Sequence, residues 1–421
     1  MKLTSLSIRD YRGFKSLDLD LSSDVIALVG VNGAGKTSLL DALALLLSCL
    51  VEGIRSGKPE EPEEPREIAL RDRDVRIGAS TAHLSLTAEL GGQEVQWSVA
   101  RTLQGHPPGA PTTLDALQAH VAAAQASIAS GSPVLPVVVY FPTNRSALDI
   151  PARIRTPHEF DALSAYEGAL EGGASNFRGF FEWFREEEDI LNEQEVSGEE
   201  VATPSPLPAV REAIEALLPH ARKIRIERRP QRMSVEVNGV RLDVAQLSDG
   251  EKCLLALAGD LARRMALAAP KEARPFERPA VVLIDEVELH LHPGLQREIM
   301  PRLRRVFPQV QFIVSTHSPQ VLSSLHAADV RILERFELRT LDRGTWRRDT
   351  NRILEAAFAD PGRPPEIAAK LNLLRDAVDA DRHEEARRLI HELSTMIEGE
   401  DPDVFFYQQL VPPEDAPEVS P

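Results

Sequence analysis

Cysteine is nearly missing: Cys49 and Cys253 are the whole supply in 421 residues. Two thiols so far apart give no disulfide framework and no Cys-based zinc site, and they fit a reducing compartment. Positive charge is also short, with 48 Lys and Arg against 65 Asp and Glu and a net charge of −17. Such a surface repels phosphate backbones, which excludes a generic nucleic-acid coat but leaves room for a local basic face. Near the start the richest apolar runs are Val25–Val29 and Leu43–Leu47, far too short to span a bilayer. Met1–Phe14 alternates apolar and charged residues like a strand and lacks a signal-peptide pattern, so a cytoplasmic location and no membrane partner are expected. Sustained heptads and internal repeats are absent as well. What remains is a chain with 43% hydrophobic residues, enough to bury a substantial core in two or three domains or in one large α/β domain with insertions.

Leu3, Leu6 and Ile8 interleave with polar residues, "YRGF" breaks the run, and "SLDLDL" resumes it. This predicts a β-hairpin leading into the buried strand Val25–Val29. A helix with a continuous apolar face runs from Thr37 through Leu47, and Arg55–Glu67 is a Pro- and Glu-rich surface loop. "TAHLSLTAEL" and "QEVQWSVAR" form two strands of an antiparallel sheet, Leu114–Ile128 a helix, and Val134–Phe141 a buried strand. Asp161–Gln194 reads as a helical insertion arm whose aromatic stripe, "FFEWF", serves packing more readily than ligand contact. After the hinge-like "ATPSPLP" come the strands "KIRIERR" and "MSVEVNGVRLDV", with a tight turn at Asn238-Gly239. Helix and strand then alternate to about Leu333, and Asn351–Leu410 is helical before a Pro-rich acidic tail.

The chemistry begins at "GVNGAGKT", which sets Gly30, Gly35, Lys36 and Thr37 in the G-x-x-x-x-G-K-[ST] pattern between a strand and a helix. Glycines let backbone N–H groups wrap a phosphate, and the helix N-terminus adds its positive dipole. Asn32, Gly33 and Ser38 complete this loop. Lys36 is suited to the β- and γ-phosphates of ATP, and the Thr37 hydroxyl to Mg²⁺. A second apolar strand, "AVVLIDE", ends in Asp285 and Glu286. A carboxylate at the C-terminal end of a parallel strand sits in the crevice beside the phosphate loop. There Asp285 can hold Mg²⁺ through water, and Glu286 can polarise the attacking water. His290 and His292 stand at i, i+2 with no evident third ligand, which weighs against a metal pair.

Order then narrows the class. Asp285 comes 248 residues after Thr37, much farther than in compact GTPases or typical AAA+ modules. "QLSDGEK" stands upstream, with Ser248 37 residues before Asp285, and "QFIVSTHSP" brings His317 32 residues after it. This order resembles the ABC-type ATPase heads of the SMC and RecF group, over Met1–Leu50 and about Asp243–Leu333. The resemblance implies a P-loop NTPase head: an α/β mixed-sheet core with an antiparallel β-subdomain, a helical insertion and a helical C-terminal region. The expected segments are 1–160, 161–205, 206–345 and 346–421. It also implies that "LSDGE", with Ser248, Gly250 and Glu251, is the signature loop that meets the γ-phosphate held by another copy, although Asp249 replaces the usual second glycine. Arg12 in "YRGF" either approaches the phosphates or serves the surface. Asn144 stands where the family senses Mg²⁺ and water, commonly with Gln. His317 resembles the switch histidine, a neutral core histidine being the alternative, and "VELHLHP" becomes a dimer-interface loop.

SMC heads carry hundreds of coiled-coil residues, and the interval here has no heptads to support them. "VVYFPTNRSALDIP", "LIDEVELHLHPGLQREI" and "FIVSTHSPQVL" together resemble the anti-phage ATPases of the PtuA family, from Septu and certain retron systems. That resemblance implies ATP and Mg²⁺ as cofactors, a homodimer or higher oligomer, and a separately encoded HNH nuclease as partner. A RecF-like DNA-repair ATPase is the alternative. Intrinsic nuclease activity is not expected, because Asp379 and Asp381 lie in an Ala-rich helical stretch and Asp401–Asp403 in a turn. The cluster Arg222, Lys223, Arg225, Arg228, Arg229 and Arg232, with Arg302, Arg304 and Arg305 elsewhere, marks either a DNA face or charged edge strands that resist aggregation.

Overall fold

The computed structural model describes residues 1–57, 69–107, 109–143, 160–170, 175–197, 205–272, 274–339, 364–397, 399 and 401–411. Most of the expected Arg55–Glu67 loop and the tail beyond Val411 lie outside these described residues. The chain forms two compact units, Met1–Arg348 and Asp349–Pro421.

Among the described residues, the first unit contains three sheets. Strands β1 (Lys2–Tyr11), β2 (Phe14–Asp20), β4 (Thr81–Leu90) and β5 (Gln93–Thr102) make an antiparallel sheet in the order β2-β1-β4-β5. Its period-two pattern lines up apolar residues: Leu6 sits opposite Leu19 on one side and Leu86 on the other. The mixed sheet runs β13-β12-β3-β11-β10-β6. Here β3 (Val25–Val29), β6 (Val137–Phe141), β10 (Ala280–Ile284), β11 (Val310–Thr316) and β12 (Val330–Glu334) are parallel, and β13 (Glu337–Arg339) is an antiparallel edge. Four of the parallel strands, β3, β6, β10 and β11, are buried along their whole length, as strands covered on both faces must be. A meander of β7 (Ala221–Arg228), β8 (Gln231–Val237) and β9 (Val240–Asp243) completes the set, its last turn made by Asn238 and Gly239, both at positive φ.

Helix α1 (Lys36–Ser56) contacts β4 and β5 as well as β10 and β11, so it is sandwiched between two sheets. That position explains why it is apolar nearly all round. Leu39, Leu40, Leu43, Leu46 and Leu47 have no exposed surface, each worth about 1.5–3 kcal/mol of burial. Trp97 of β5 donates from Nε1 to the Leu46 carbonyl at 2.8 Å. As a whole α1 is long and apolar enough to cross a membrane, but it is a core helix; among the described residues no other helix passes that test. Helix α2 (Gln118–Ala129) packs on α1. One buried side chain joins the sheets: Gln311 of β11 accepts from the Leu3 amide at 2.7 Å and donates to the carbonyls of Leu3, Leu21 and Ser23.

Three further helices, α3 (Ser175–Ser197), α4 (Leu207–Leu217) and α5 (Asp249–Ala268), pack together. Within the expected helical insertion, α3 lies against α5. Its Phe177, Phe180, Phe181, Trp183 and Phe184 are all buried, with Phe180 pressed on Gly259, where a Cβ would come within 2.7 Å of the ring. Buried Glu188 accepts from Arg211 Nη2 of α4 at 2.6 Å and from the Ile226 amide of β7 at 3.1 Å. The aromatic stripe is therefore core. Helix α6 (Pro293–Val306) opens with proline in its first turn, where no N–H is missed, and the short α7 (Pro319–Leu322) is capped by Ser318. In the second unit, α8 (Pro365–Asp379), α9 (His383–Met396) and α10 (Pro402–Leu410) surround Leu374, Ala377, Ala386, Leu389, Leu393 and Val404.

Candidate nucleotide-binding site

The loop Gly30–Gly35 turns from β3 into α1 with Gly30, Gly33 and Gly35 at positive φ. Gly35 is required twice over: its φ is +106°, and a Cβ would lie 2.6 Å from the Phe14 ring. Behind the loop, Phe14 of "YRGF" and Phe336 of the β12–β13 turn meet edge to face at 5.1 Å. A Cβ on Gly13 would fall 2.3 Å from the Phe336 ring, so the glycine of this turn exists to let the two aromatics close on the phosphate loop. Lys36 is buried, and its ammonium donates to the carbonyls of Gly30 at 2.8 Å and Val31 at 3.2 Å.

Strand order decides what surrounds this loop. Because β11 lies between β3 and β10, their C-terminal ends converge from three distant stretches of sequence. Thr37 Oγ1 donates to Asp285 Oδ2 at 2.8 Å across 248 positions of chain. Ser315, at the end of β11, donates to the other oxygen of Asp285 and accepts from the Glu286 amide at 2.8 Å. Glu286 sits at φ +48°, an uncommon conformation that this bond helps hold. His317 follows two residues on, with its amide 2.8 Å and its Nδ1 3.2 Å from Glu288 Oε1. Burial lowers the Lys36 ammonium below the usual lysine range, opposed by the nearby carboxylates Asp285, Glu286 and Glu288. A lysine so placed gains from an anion that replaces its lost hydration. Thr37 and Asp285 offer a hydroxyl and a carboxylate, not a closed cage, which suits Mg²⁺, an ion that keeps water and phosphate oxygens as its other ligands.

Arg12 is engaged on the outer side of α1. It donates to Asp74 at 2.9 Å, to Asp41 at 2.6 Å and to Ser38 at 3.4 Å, and Tyr140 at the end of β6 also donates to Asp41, at 3.2 Å. Its guanidinium is thus held by carboxylates within the chain, and contact with a phosphate would compete with them. Ser248 and Glu251 form a reciprocal cap at the start of α5: the Glu251 carboxylate accepts from the Ser248 amide at 2.9 Å and hydroxyl at 2.6 Å. Ser248 is exposed and Glu251 half-buried, while Gly250 presses on the His290 carbonyl, where a Cβ would lie at 2.6 Å. His292 caps α6 through Nδ1, accepting from the Gly294 amide at 3.3 Å. Among the described residues no group of three His, Cys, Asp or Glu gathers as a metal cage. Asn144 lies outside the described residues.

Sequence reasoning missed Ser315, Glu288, Asp41, Asp74 and Tyr140. A signal for the first existed, since a period of two puts Ser315 on the same side of the strand as His317. The others are brought in by tertiary packing alone. The basic cluster is largely spent on acids: Lys223 pairs with Glu236 at 2.9 Å, Arg232 with Glu227 at 2.6 Å, Arg222 with Glu215 at 3.9 Å, and Arg228 with Asp189.

A family profile described as "AAA domain, putative AbiEii toxin, Type IV TA system" matches residues 165–323, and one described as "AAA ATPase domain" matches residues 1–67. The "Retron Ec83 probable ATPase" of Escherichia coli is 26% identical over 92% of this chain and 82% of its own length. Septu protein PtuA of Bacillus mycoides is 41% identical over 21% of this chain and 12% of its own length. An SMC head domain from Thermotoga maritima aligns with 79% of this chain and 94% of its own, at 16% identity and a TM-score of 0.42. The expected similarity to the retron and PtuA ATPases holds, along most of the chain for the former and over a short stretch for the latter.

Proposed function

We propose that this relative of the retron and Septu ATPases binds and hydrolyses ATP between two copies of itself, and that this cycle controls an effector nuclease in anti-phage defence. The hydrogen bond from Thr37 to Asp285 carries the ATPase reading, because it joins the phosphate loop to the acidic strand end. The loop amides and Lys36 would hold the β- and γ-phosphates, with Gly30, Asn32, Gly33, Gly35 and Ser38 shaping the cradle. Thr37 and Asp285 would hold Mg²⁺, which supplies charge neutralisation at the phosphates when bound. Glu286 orients and deprotonates the attacking water, and His317 meets the γ-phosphate. The start of α5 gives the second half of the pocket. A phosphate of a partner copy would take this helix N-terminus and the Ser248 hydroxyl by displacing the Glu251 carboxylate that now caps them.

The defence role rests on the retron and PtuA relatives, and an HNH nuclease partner on the PtuA resemblance alone. A RecF-like repair role loses ground, because a DNA face on β7 and β8 would have to break the acid pairs that already hold those basic residues. Three variants test the clamp. Lys36→Ala abolishes nucleotide binding, read by titration with a fluorescent ATP analogue. Glu286→Gln binds ATP, does not turn it over and accumulates as a dimer in light scattering. Mixing Lys36→Ala with Ser248→Arg rescues part of the turnover, because one composite pocket of the mixed dimer is intact. Unchanged turnover in Glu286→Gln, or no rescue on mixing, refutes this arrangement.

A further inference from the structure

The structure assigns Glu288 a role that nothing in the motifs gives it: we propose that its buried carboxylate positions the His317 imidazole for the γ-phosphate. The inference rests on the ATPase reading above and deepens it. Glu288 is 5% exposed, and its Oε2 is buried without a hydrogen-bond partner. Its Oε1 holds His317 twice, through the amide at 2.8 Å and facing Nδ1 at 3.2 Å. Burying a carboxylate this way is costly unless a cation or N–H donors satisfy it, so a scaffold residue here would more cheaply be apolar.

The backbone around the pair is stitched to one frame. The Val287 amide donates to the Ser315 carbonyl at 3.0 Å, and the Leu291 amide to the Glu288 carbonyl at 2.9 Å. Glu288 and His317 therefore ride on two strand ends that already share Ser315 and Asp285. The consequence is chemical. A carboxylate facing Nδ1 calls for a proton there, since an oxygen that only accepts needs a donor. Nε2 is the ring nitrogen that takes no part in this pair, and it belongs to a side chain 49% exposed. A phosphate oxygen also only accepts. With its Nδ1 side held by Glu288, the ring presents Nε2 to such an oxygen in one fixed orientation. Glu288 touches neither substrate nor metal in this scheme and acts through His317.

The test compares Glu288→Gln, His317→Ala and the double variant in the full chain. It measures ATP turnover, affinity for a fluorescent ATP analogue, and thermal unfolding. Glu288→Gln keeps a side chain of the same shape but removes the charge. It is expected to lower kcat on the order of tenfold to a hundredfold, by analogy with the carboxylate partners of metal-ligating histidines. Nucleotide affinity changes less than about threefold, and the double variant is no slower than His317→Ala alone. Histidine-labelled protein read by long-range nitrogen–proton spectra should show His317 losing its protonated Nδ1 in Glu288→Gln. Retained turnover, losses that multiply in the double variant, or an unchanged His317 spectrum overturns the proposal. So does a Glu288→Gln protein that fails to fold while His317→Ala folds, because that makes Glu288 scaffold. If instead the wild-type chain shows no ATP turnover, it is the underlying ATPase reading that fails.

Discussion

Ser315→Ala isolates a buried hydroxyl that bonds both the Asp285 carboxylate and the Glu286 backbone amide. Ser315 has no exposed surface, donates to Asp285 and accepts from the Glu286 amide at 2.8 Å. Alanine removes both bonds without adding volume. Asp285 keeps its bond from Thr37, so the loss sits toward the low end for buried polar partners, about 1–3 kcal/mol. If half of that is felt only in the transition state, turnover falls about two- to tenfold, since each 1.36 kcal/mol is a factor of ten. The rest lowers stability. Steady-state phosphate release at saturating ATP reads the first part, and the urea midpoint at 25 °C the second. A variant with both turnover and midpoint unchanged would refute the claim that this hydroxyl holds the site.

Gly35→Ala combines a left-handed backbone with a Cβ 2.6 Å from Phe14, costs of about 1–3 kcal/mol each, so it should lose nucleotide binding in an analogue titration along with measurable stability. Asp260 of α5 is fully buried and bridges Arg263 at 2.9 Å and Arg264 at 2.7 Å. Asp260→Ala strands two buried guanidiniums and should cost about 3–5 kcal/mol by denaturant unfolding, whereas replacing all three with apolar residues should cost far less. Gln311→Leu orphans the Leu3 amide and removes the tie between the two large sheets, a loss of about 2–4 kcal/mol in the same measurement; an unchanged midpoint would mean the sheets do not need it.

Much of the architecture was legible because the signals were local. A hydrophobic period of two gave β1, β2, β4 and β5, and the Asn238-Gly239 turn followed from the need for positive φ. The buried run Val25–Val29 and the glycine loop after it mark a strand, a phosphate cradle and a helix in ten or so residues, so they needed no tertiary knowledge. What stayed open was long-range. The stripe Phe180–Phe184 reads as packing, but that α5 is what receives it is settled only in the tertiary structure.

Residue types and order alone determined that this chain holds a glycine-rich G-x-x-x-x-G-K-T loop, an acidic strand end, a capped helix start at Ser248 and a histidine strand end at His317. Which of these meet was decided only by the parallel sheet. Placing β11 between β3 and β10 brings Ser315 under Asp285 and sets Glu288 against His317. Carboxylates and imidazoles have no periodicity that announces a partner 29 or 30 residues away. Their pairing is a property of strand order, which the backbone hydrogen bonds and the packing of α1 and α5 settle together.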